Sequence, residues 1–367
     1  MNSSKKGLFY FMHIPWTWAK QRPQFLAQEL SDTFDITVAY KKPFSTKNQS
    51  LETAEVSLLS IAMLPYNAKS GIVRFFNKIL TRRKVRKIIS SCKYVWVTSP
   101  DLFDLLPKLR DDQVLIYDCM DDMLSFSAIK NFPSVYKYFH KLESKLLKRA
   151  DLVICSSKNL KDKLVSRYCV EKEVLIINNG ISEGMFKETL LSQYNNIKRD
   201  SQKINIVYIG TIAKWMDWEL ILKSLELNDD ILYHFVGPQE SIIPEHKRIL
   251  SYGPKPHKEI KSIMAEADIL FMPFQVTDLI QSVNPVKLYE YIYSNKASIS
   301  VRYDETELFE KYVYLYSNIE EYMLLIDKLK SSQFSPKLSV TEAKQFCHDN
   351  TWSVRGKHIK EILLNSN

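Results

Sequence analysis

Ile206-Val-Tyr-Ile209-Gly210-Thr211-Ile-Ala213-Lys214-Trp-Met-Asp217 is a hydrophobic run that ends at a glycine and passes into a turn. Such a run predicts a buried strand of a parallel sheet, with the turn leading into a helix. Gly210 lets the backbone approach a phosphate closely, although a tight turn alone also explains it. The same strand-then-glycine pattern recurs at Phe235-Val-Gly237-Pro238, and the loop Tyr252-Gly-Pro254 suits contact with a nucleotide base.

Strand and helix patterns alternate along both halves of the chain, which predicts an α/β fold with two doubly wound, mostly parallel sheets. The polar stretch from Glu188 to Lys203 separates the halves as a linker. We therefore expect a Rossmann-like domain over residues 1–190 and a second one over 200–340. Two such domains predict a cleft between the carboxyl ends of their sheets, where open α/β sheets bind ligands.

Composition is that of a globular protein, with 367 residues, 45% of them hydrophobic, and a net charge of +9. The five cysteines have no metal-ligand spacing, which favours a reducing compartment and predicts no metal site. No apolar window reaches the length of a membrane span, so we expect a cytoplasmic or peripheral protein. Zinc-finger, aromatic RNA-binding and helix-turn-helix patterns are missing from the sequence, which ranks nucleic acid low among the partners.

The segment from Ile72 to Ile89 contains seven basic residues and no acidic one, interleaved with large apolar side chains. This pattern is typical of a basic amphipathic helix that lies on a membrane surface. We predict contact between residues 72–90 and an anionic membrane, and a solvated basic face is the alternative.

Ser282-Val-Asn284-Pro285-Val-Lys287-Leu-Tyr-Glu290-Tyr291 predicts a loop that passes into a helix. We expect Ser282 and Asn284 to act as cap residues, next to free N–H groups that attract a phosphate. Lys287 adds a positive charge in the first turn, and Glu290 lies on the same face at i,i+3 spacing. One helix start is therefore predicted to bind a diphosphate and a ribose, against the alternative of an ordinary capped helix.

In the first half, Tyr117-Asp118-Cys-Met-Asp121-Asp122 follows an apolar strand. Three neighbouring carboxylates raise the pKa of at least one of them, which suits a general base. Helix capping and a divalent-metal site are the alternatives. Among the catalytic candidates Asp118, Asp121 and Asp122, we favour Asp121 as the base and expect Asp118 to orient its neighbours.

The loop His13-Ile-Pro-Trp16-Thr-Trp18-Ala-Lys-Gln21-Arg22-Pro23 follows the first predicted strand. Its two tryptophans can stack on sugars, and Gln21 and Arg22 offer fixed donors, so we predict acceptor contacts here. The alternative is that one tryptophan packs against the helix and that Arg22 binds a carboxylate.

Taken together and in order, these motifs resemble bacterial GT-B glycosyltransferases of the teichuronic-acid and capsule type, and more distantly the xanthan glucuronosyltransferase. The resemblance runs from about residue 8 to 364. It implies a nucleoside-diphosphate-sugar donor. We favour UDP over GDP, although the sequence leaves the base open, and the transfer scheme requires no cofactor. The contacts implied by the resemblance are Lys287 with the diphosphate, Glu290 with the ribose, and Gly210 and Thr211 in the phosphate pocket.

The resemblance also implies that residues 341–367 form a helix that crosses back to the first domain, anchored by Trp352. The acceptor, a lipid-linked or free saccharide, would bind the N-terminal domain on the inner face of the cell membrane. Ser282 stands where many retaining relatives have a glutamate, which favours inversion with Asp121 as base. Lys214 is followed by Asp217 where relatives have an Arg…Lys pair, which shifts the phosphate charge to Lys287.

Sugar transfer in cell-surface polysaccharide synthesis is thus the predicted function. Two rivals share the fold: a nucleotide-sugar 2-epimerase, and a non-catalytic scaffold that binds nucleotide. Product analysis with the donor alone separates the first, and donor hydrolysis or transfer excludes the second.

Overall fold

The computed structural model describes residues 5–17, 20–43, 56–187 and 197–365. The chain divides into two compact units. Unit 1 contains Met1–Asn178 and Trp352–Asn367, and unit 2 contains Asn179–Thr351. Trp18 of the predicted acceptor loop lies outside the described residues, as does most of the predicted linker.

Unit 1 is built on a seven-stranded sheet in which every pairing is parallel. Its strands are β1 (Gly7–Met12), β2 (Asp35–Pro43), β3 (Ser57–Met63), β4 (Tyr94–Val97), β5 (Val114–Cys119), β6 (Leu152–Cys155) and β7 (Val174–Ile176). Their order is β3-β2-β1-β4-β5-β6-β7, so the direction of winding reverses between β1 and β4. Apolar clusters cover both faces of this sheet, which explains the near-continuous apolar strands.

The helices between these strands are α1 (Arg22–Leu30), α2 (Gly71–Ser91), α3 (Pro100–Leu105), α4 (Ser127–Lys130), α5 (Pro133–Arg149) and α6 (Lys158–Tyr168). A short 3₁₀ turn at Met123–Ser125 follows the three aspartates.

Unit 2 is built on a six-stranded parallel sheet. Its strands are β8 (Ile204–Ile209), β9 (Ile231–Val236), β10 (Ile249–Ser251), β11 (Ile269–Met272), β12 (Ala297–Val301) and β13 (Tyr314–Tyr316). The order β10-β9-β8-β11-β12-β13 places the reversal between β8 and β11. The predicted α/β class with two doubly wound parallel sheets is confirmed.

The remaining helices are α7 (Gly184–Lys187), α8 (Trp218–Leu227), α9 (His257–Glu266), α10 (Val286–Tyr293), α11 (Asp304–Glu307), α12 (Ile319–Ser331), α13 (Val340–Asp349) and α14 (Trp352–Asn365). All belong to unit 2 except α14, which is part of unit 1.

Helix α14 packs against α1, and two side-chain features explain how. The ring of Trp352 stacks on Phe25 with centroids 5.2 Å apart and planes 8° apart. Gly356 sits where a Cβ would lie 2.6 Å from the Cβ of Glu29, so only glycine permits this approach of the helices. The last helix of the chain is therefore fitted closely to the first helix of unit 1.

Candidate functional site

The reversal in the unit 2 sheet brings together the two segments that the sequence predicts as donor loops. One loop, residues 210–217, follows β8, and the other, residues 273–285, follows β11. Backbone hydrogen bonds join them: Asp217 N–H donates to Pro273 O at 2.9 Å, and Gln275 N–H to Trp215 O at 2.7 Å. Open α/β sheets bind ligands at such a reversal.

Helix α10 begins at this edge. Pro285 occupies its N-cap position and no side chain caps the helix, so the expectation that Ser282 and Asn284 cap it is wrong. The reason is that Pro285 offers no side-chain oxygen, while the two polar residues before it turn inward. An uncapped helix start retains backbone N–H groups and the positive end of the helix dipole, both of which favour an anion.

Lys287 and Glu290 form the predicted pair on the first turns of α10. The Lys287 Nζ atom lies 2.8 Å from Glu290 Oε2, and the side chains are 33% and 13% exposed. An ammonium has three donors and a carboxylate has several acceptor positions, so this contact leaves capacity on both. The pair can therefore present a positive charge and hydrogen-bond acceptors to a ligand.

Two glycines meet where β8 and β9 end. Gly210 has φ +156° and Gly237 has φ +150°, and a Cβ on Gly237 would lie 2.0 Å from the carbonyl oxygen of Gly210. A side chain is thus excluded at Gly237, which is buried against the backbone of Gly210, whereas Gly210 itself is half-buried. Thr211 beside them is half-buried, and Lys214 is exposed.

Three other residues predicted to contact the donor have internal partners. Ser282 is buried, with its hydroxyl 3.5 Å from Asp278 O. The buried Asn284 side chain accepts from Asn179 N–H at 3.0 Å and donates to Glu305 at 3.2 Å.

Tyr252 is the third of them, and its hydroxyl contacts His234 Nδ1 and Lys198 N, each at 2.9 Å. Because the polar atoms of Tyr252 and Asn284 are engaged inside unit 2, we interpret these side chains as positioning the loops rather than contacting a donor.

In unit 1 the sheet reversal lies between β1 and β4, and His13 follows β1 at that point. Its Nδ1 atom lies 2.8 Å from Thr98 Oγ1, just after β4. Burial and the nearby Lys41 ammonium lower the pKa of His13 to about 4, against the opposing effect of Asp101. His13 is therefore neutral at physiological pH and half-buried at the ligand-binding edge of unit 1.

Asp118 and Arg22 form a buried ion pair within unit 1. Arg22 Nη2 lies 2.8 Å from Asp118 Oδ1, and Arg22 Nη1 donates to Ile177 O at 2.7 Å. Both side chains are buried. The prediction that Arg22 contacts an acceptor is thus replaced by the alternative that it binds a carboxylate, and the orienting role of Asp118 stays a prediction.

Asp122 is also engaged. Arg167 of α6 donates to its two carboxylate oxygens at 3.0 and 3.1 Å, and Ser125 donates at 2.7 Å. Burial alone would raise the pKa of Asp122, but these hydrogen bonds hold it below its usual value. Asp122 is therefore a fixed anion that anchors the 3₁₀ turn, and its predicted catalytic role loses support.

Sequence reasoning missed Arg167 and the groups around it. Arg167 lies 3.8 Å from Glu143, whose carboxylate accepts from Tyr117 at 2.6 Å and Tyr168 at 2.8 Å. The i,i+4 spacing of Lys163 and Arg167 on α6 is the signal that could have indicated a carboxylate partner, since Lys163 also lies 3.5 Å from Asp122.

Asp121 differs from both neighbours. Among the described residues its carboxylate receives no hydrogen bond, and its side chain is half-buried. Burial raises the pKa of Asp121 to about 6, with Asp118 and Asp122 adding to the rise and Arg22 opposing it. A partly accessible carboxyl group with a pKa near neutrality is suited to take up and release a proton.

The rest of the predicted acceptor loop is described only in part. Trp16 is half-buried and packs against the core of unit 1. Gln21 precedes α1, and its backbone N–H donates to Gln24 Oε1 at 3.2 Å. Neither position decides whether an acceptor is bound, so both remain predictions.

Helix α2 has an unusual distribution of side chains. The buried residues of its first half, Asn77 and Thr81, are polar, whereas Ile72, Phe75 and Phe76 are 73%, 60% and 51% exposed. Large apolar side chains therefore point outward in this half of the helix. The exposed apolar residues lie among basic ones and form what we call the α2 patch: Tyr66, Ile72, Phe75, Phe76 and Leu80.

In the described part of the chain, no helix combines the length and apolar character that crossing a bilayer requires. Within the same ranges, no three His, Cys, Asp or Glu side chains are grouped so as to hold a metal ion.

Two doubly wound parallel units of this kind define the GT-B fold of glycosyltransferases, and solved structures of that fold superpose along nearly the whole chain. Sucrose-phosphate synthase from Thermosynechococcus elongatus has a TM-score of 0.74 at 9% identity, over 98% of this chain and 99% of the other. Anabaena Alr3699/HepE, solved with UDP and glucose, has a TM-score of 0.68 at 12% identity, over 98% and 99%. These identities establish the fold alone.

Sequence similarity points to a particular relative. The chain is 26% identical over 234 residues to the "Putative teichuronic acid biosynthesis glycosyltransferase TuaH" of Bacillus subtilis (strain 168), covering 60% of this chain and 59% of the relative. It is 23% identical over 254 residues to an uncharacterized 41.2 kDa protein in the cps region of Klebsiella pneumoniae, covering 66% and 64%. The resemblance predicted from the motifs is confirmed, although each match spans less than two thirds of the relative. No protein-family model matches the chain.

Proposed function

We propose that this protein is a glycosyltransferase that moves a sugar from a nucleoside-diphosphate sugar, UDP-linked rather than GDP-linked, to a saccharide or lipid-linked acceptor in bacterial cell-surface polysaccharide synthesis. The observation that carries the proposal is the start of α10, where an uncapped helix and the Lys287–Glu290 pair lie at the sheet reversal of unit 2. The similarity to TuaH and the UDP complex of the Anabaena protein support it.

The donor would bind through three features of this edge. Lys287 and the N–H groups of the first turn of α10 stabilise the diphosphate, both in the bound donor and as it leaves. Glu290 accepts hydrogen bonds from the ribose hydroxyls. Gly210, which is half-buried and has no side chain, allows the phosphates to approach the backbone. Groups of the protein stabilise the negative charge of the leaving diphosphate, so the scheme assigns no step to a metal ion or other cofactor.

Asp121 is the proposed general base. It accepts the proton of the acceptor hydroxyl as that oxygen attacks the anomeric carbon, while the bond from that carbon to the diphosphate oxygen breaks. Such a displacement inverts the anomeric centre. Its support is chemical: Asp118 and Asp122 are held as ion-paired anions, whereas the Asp121 carboxyl is unpaired among the described residues and has a pKa of about 6.

The α2 patch supports contact with an anionic membrane at the inner face of the cell membrane. Exposed aromatic and aliphatic side chains can enter the boundary between headgroups and acyl chains, while exposed basic residues such as Arg83 and Lys87 attract anionic lipids. A lipid-linked acceptor would be presented at that surface.

Vesicle sedimentation tests the membrane proposal. Vesicles with roughly a third of anionic lipid should retain the wild-type protein at low salt, and the double variant Phe75→Ser, Phe76→Ser should bind at least tenfold more weakly. Leu324→Ser, an equally exposed apolar position on α12, is the matched control and should bind as wild type. Equal binding by both variants contradicts a membrane role for the α2 patch.

Nucleotide binding tests the central proposal. UDP and UDP-glucose should raise the melting temperature, because a ligand that binds only the folded state stabilises it by mass action. GDP and GDP-mannose should do so less, and Lys287→Ala should reduce the shift at the same nucleotide concentration, with Lys344→Ala on the exposed face of α13 as control. No shift with any nucleotide, or an equal shift in both variants, overturns the donor site.

The epimerase rival is separated by proton NMR of UDP-N-acetylglucosamine incubated with the protein alone. If the protein is a transferase, the spectra should show at most slow release of UDP, because no acceptor is present. Conversion of the sugar to its 2-epimer without net loss of UDP-sugar assigns the rival activity instead.

A further inference from the structure

A cleft of 330 Å³ in unit 2 is not used by the proposed transfer reaction. It lies at the carboxyl ends of β12 and β13, between the first turns of α8 and α12, and we call it the α8–α12 cleft. Its wall includes Asp217, Phe274 and Val276 from the two donor loops, but not Gly210, Lys287 or Glu290. The apolar part of the lining also contains Leu220, Val301 and Ile319.

Polar groups around the cleft have hydrogen-bonding capacity left over. Asp217 uses one carboxylate oxygen to cap α8 through Leu220 N at 3.0 Å, which leaves the other oxygen as an acceptor. Asn318 uses its carbonyl oxygen to cap α12 through Glu321 N at 2.9 Å, which leaves its NH₂ group as a donor. The exposed side chains of Glu219, Lys223 and Ser317 add acceptors, a cation and a hydroxyl.

Tyr316 is part of the lining of the cleft and carries an unpaired hydroxyl. The residue is 1% exposed, and its hydroxyl has no hydrogen-bond partner among the described residues. The neighbouring hydroxyls of Tyr233 and Tyr322 bond to each other at 2.8 Å. Because a buried hydroxyl without a partner is unfavourable, a ligand that reaches it would gain a hydrogen bond.

The charges around the cleft restrict the kind of ligand. Asp217 and Glu219 face the single cation Lys223, which disfavours phosphates and other anions. An apolar lining with a few polar groups of both kinds suits a small, uncharged organic ligand rather than a bare ion. A sugar ring has hydroxyls for the polar groups and a C–H face for Phe274 and Leu220.

We propose that the α8–α12 cleft binds a neutral saccharide unit at a site separate from the start of α10. The volume is at the lower end of the range of about 300–1,000 Å³ for small-molecule sites, which fits one monosaccharide rather than a long oligosaccharide. The cleft shares the loops after β8 and β11 with the proposed donor site, but Lys287, Glu290 and the two glycines lie outside its lining, so binding of UDP and binding of a glycoside are measured separately.

Saturation-transfer NMR on the full chain tests the proposal, with methyl α-glucopyranoside, methyl β-galactopyranoside and methyl N-acetyl-β-glucosaminide as probes. At least one glycoside should give a signal that persists in the presence of excess UDP. Ser317→Trp should remove it by filling the cleft, whereas Ser331→Trp at the other end of α12 should not. Silence from all three probes, or displacement of the signal by UDP, overturns the proposal.

Tyr316→Phe gives a second and gentler test, since it removes only the unpaired hydroxyl. Its melting temperature should equal or exceed that of wild type, because an unsatisfied polar group is lost. The affinity for the responding glycoside should fall roughly tenfold, as expected for one lost hydrogen bond. Unchanged affinity in both Tyr316→Phe and Ser317→Trp places the binding elsewhere and contradicts the assignment.

Discussion

The ligand-binding edges of the two units carry charge in opposite ways. In unit 2 the edge is formed mainly by backbone groups. Two glycines exclude side chains, an uncapped helix presents N–H groups, and one lysine adds a positive charge. In unit 1 the edge contains three aspartates, two of which are neutralised by Arg22 and Arg167. The edge of unit 2 therefore suits an anionic ligand, whereas the edge of unit 1 leaves one of its three carboxyl groups without an ion-pair partner among the described residues.

The largest expected effect comes from that carboxyl group. Asp121→Asn should lower kcat/KM by about 10²–10⁴-fold, as for loss of a general base, with donor affinity nearly unchanged. In the wild type, kcat/KM should rise with pH and level off above an apparent pKa of about 6, because the base acts only when ionised. The measurements are UDP release across pH 5–8 and a binding titration with UDP.

Asp111→Asn, a change at an exposed carboxylate of the same unit, should leave activity intact. If Asp121→Asn retains activity, Asp121 is not the general base, and the proposed difference in chemical role between the two edges is wrong.

The glycine contact should have the next largest effect. Gly237→Ala should lower the free energy of unfolding by about 3 kcal/mol, because its Cβ would lie 2.0 Å from Gly210 O at a positive φ. Gly253→Ala is the matched control: its φ is +65° but no atom lies within 4 Å, so only backbone strain of about 1 kcal/mol is expected. Urea unfolding measures both, and equal losses would show that the close backbone approach is not specific to Gly237.

Lys287→Ala should weaken binding of UDP by about 10–100-fold, which corresponds to loss of a charge-assisted hydrogen bond. The free energy of unfolding should change little, since the Lys287–Glu290 pair is partly exposed. Isothermal titration with UDP measures the effect, with Lys344→Ala as the control. An unaltered affinity for UDP would contradict the proposal that Lys287 binds the diphosphate.

The remaining expected effect is on the free energy of unfolding. A carboxyl group whose pKa is raised on folding destabilises the folded state only at pH values where the same group is ionised in the unfolded chain. The destabilisation by Asp121 therefore grows from about pH 4 to about pH 6 and is constant above that range. Asp121→Asn should therefore stabilise the protein by up to about 3 kcal/mol at pH 8 and by only about 1 kcal/mol at pH 4.5. Urea unfolding at the two pH values is the test, and an equal change at both would argue against the raised pKa.

Local patterns in the sequence predicted what depends on neighbouring residues. The strands β8, β9 and β11 are buried on both faces and so read as continuous apolar runs, and the Lys287–Glu290 contact follows from helical spacing. The edge strands β10 and β13 have three residues each, too few to give a period, and were missed.

Contacts between distant residues could not be predicted in the same way. Arg22 finds Asp118 across 96 residues, and Asn284 finds Asn179 across 105, so each was taken for a ligand contact although its partner is internal. The exposure of Phe75 and Phe76 could likewise not be predicted, because the spacing of apolar residues in a helix does not say which side of the helix packs on the core.

The fit of α14 against α1 has a consequence for synthesis on the ribosome. Unit 2 is one uninterrupted segment that is translated before α14, whereas the rest of unit 1 lacks α14 until residues 352–365 emerge. Until then, apolar side chains of α1 such as Phe25 are left without Trp352. A fragment that stops before residue 352 should accordingly be prone to aggregate.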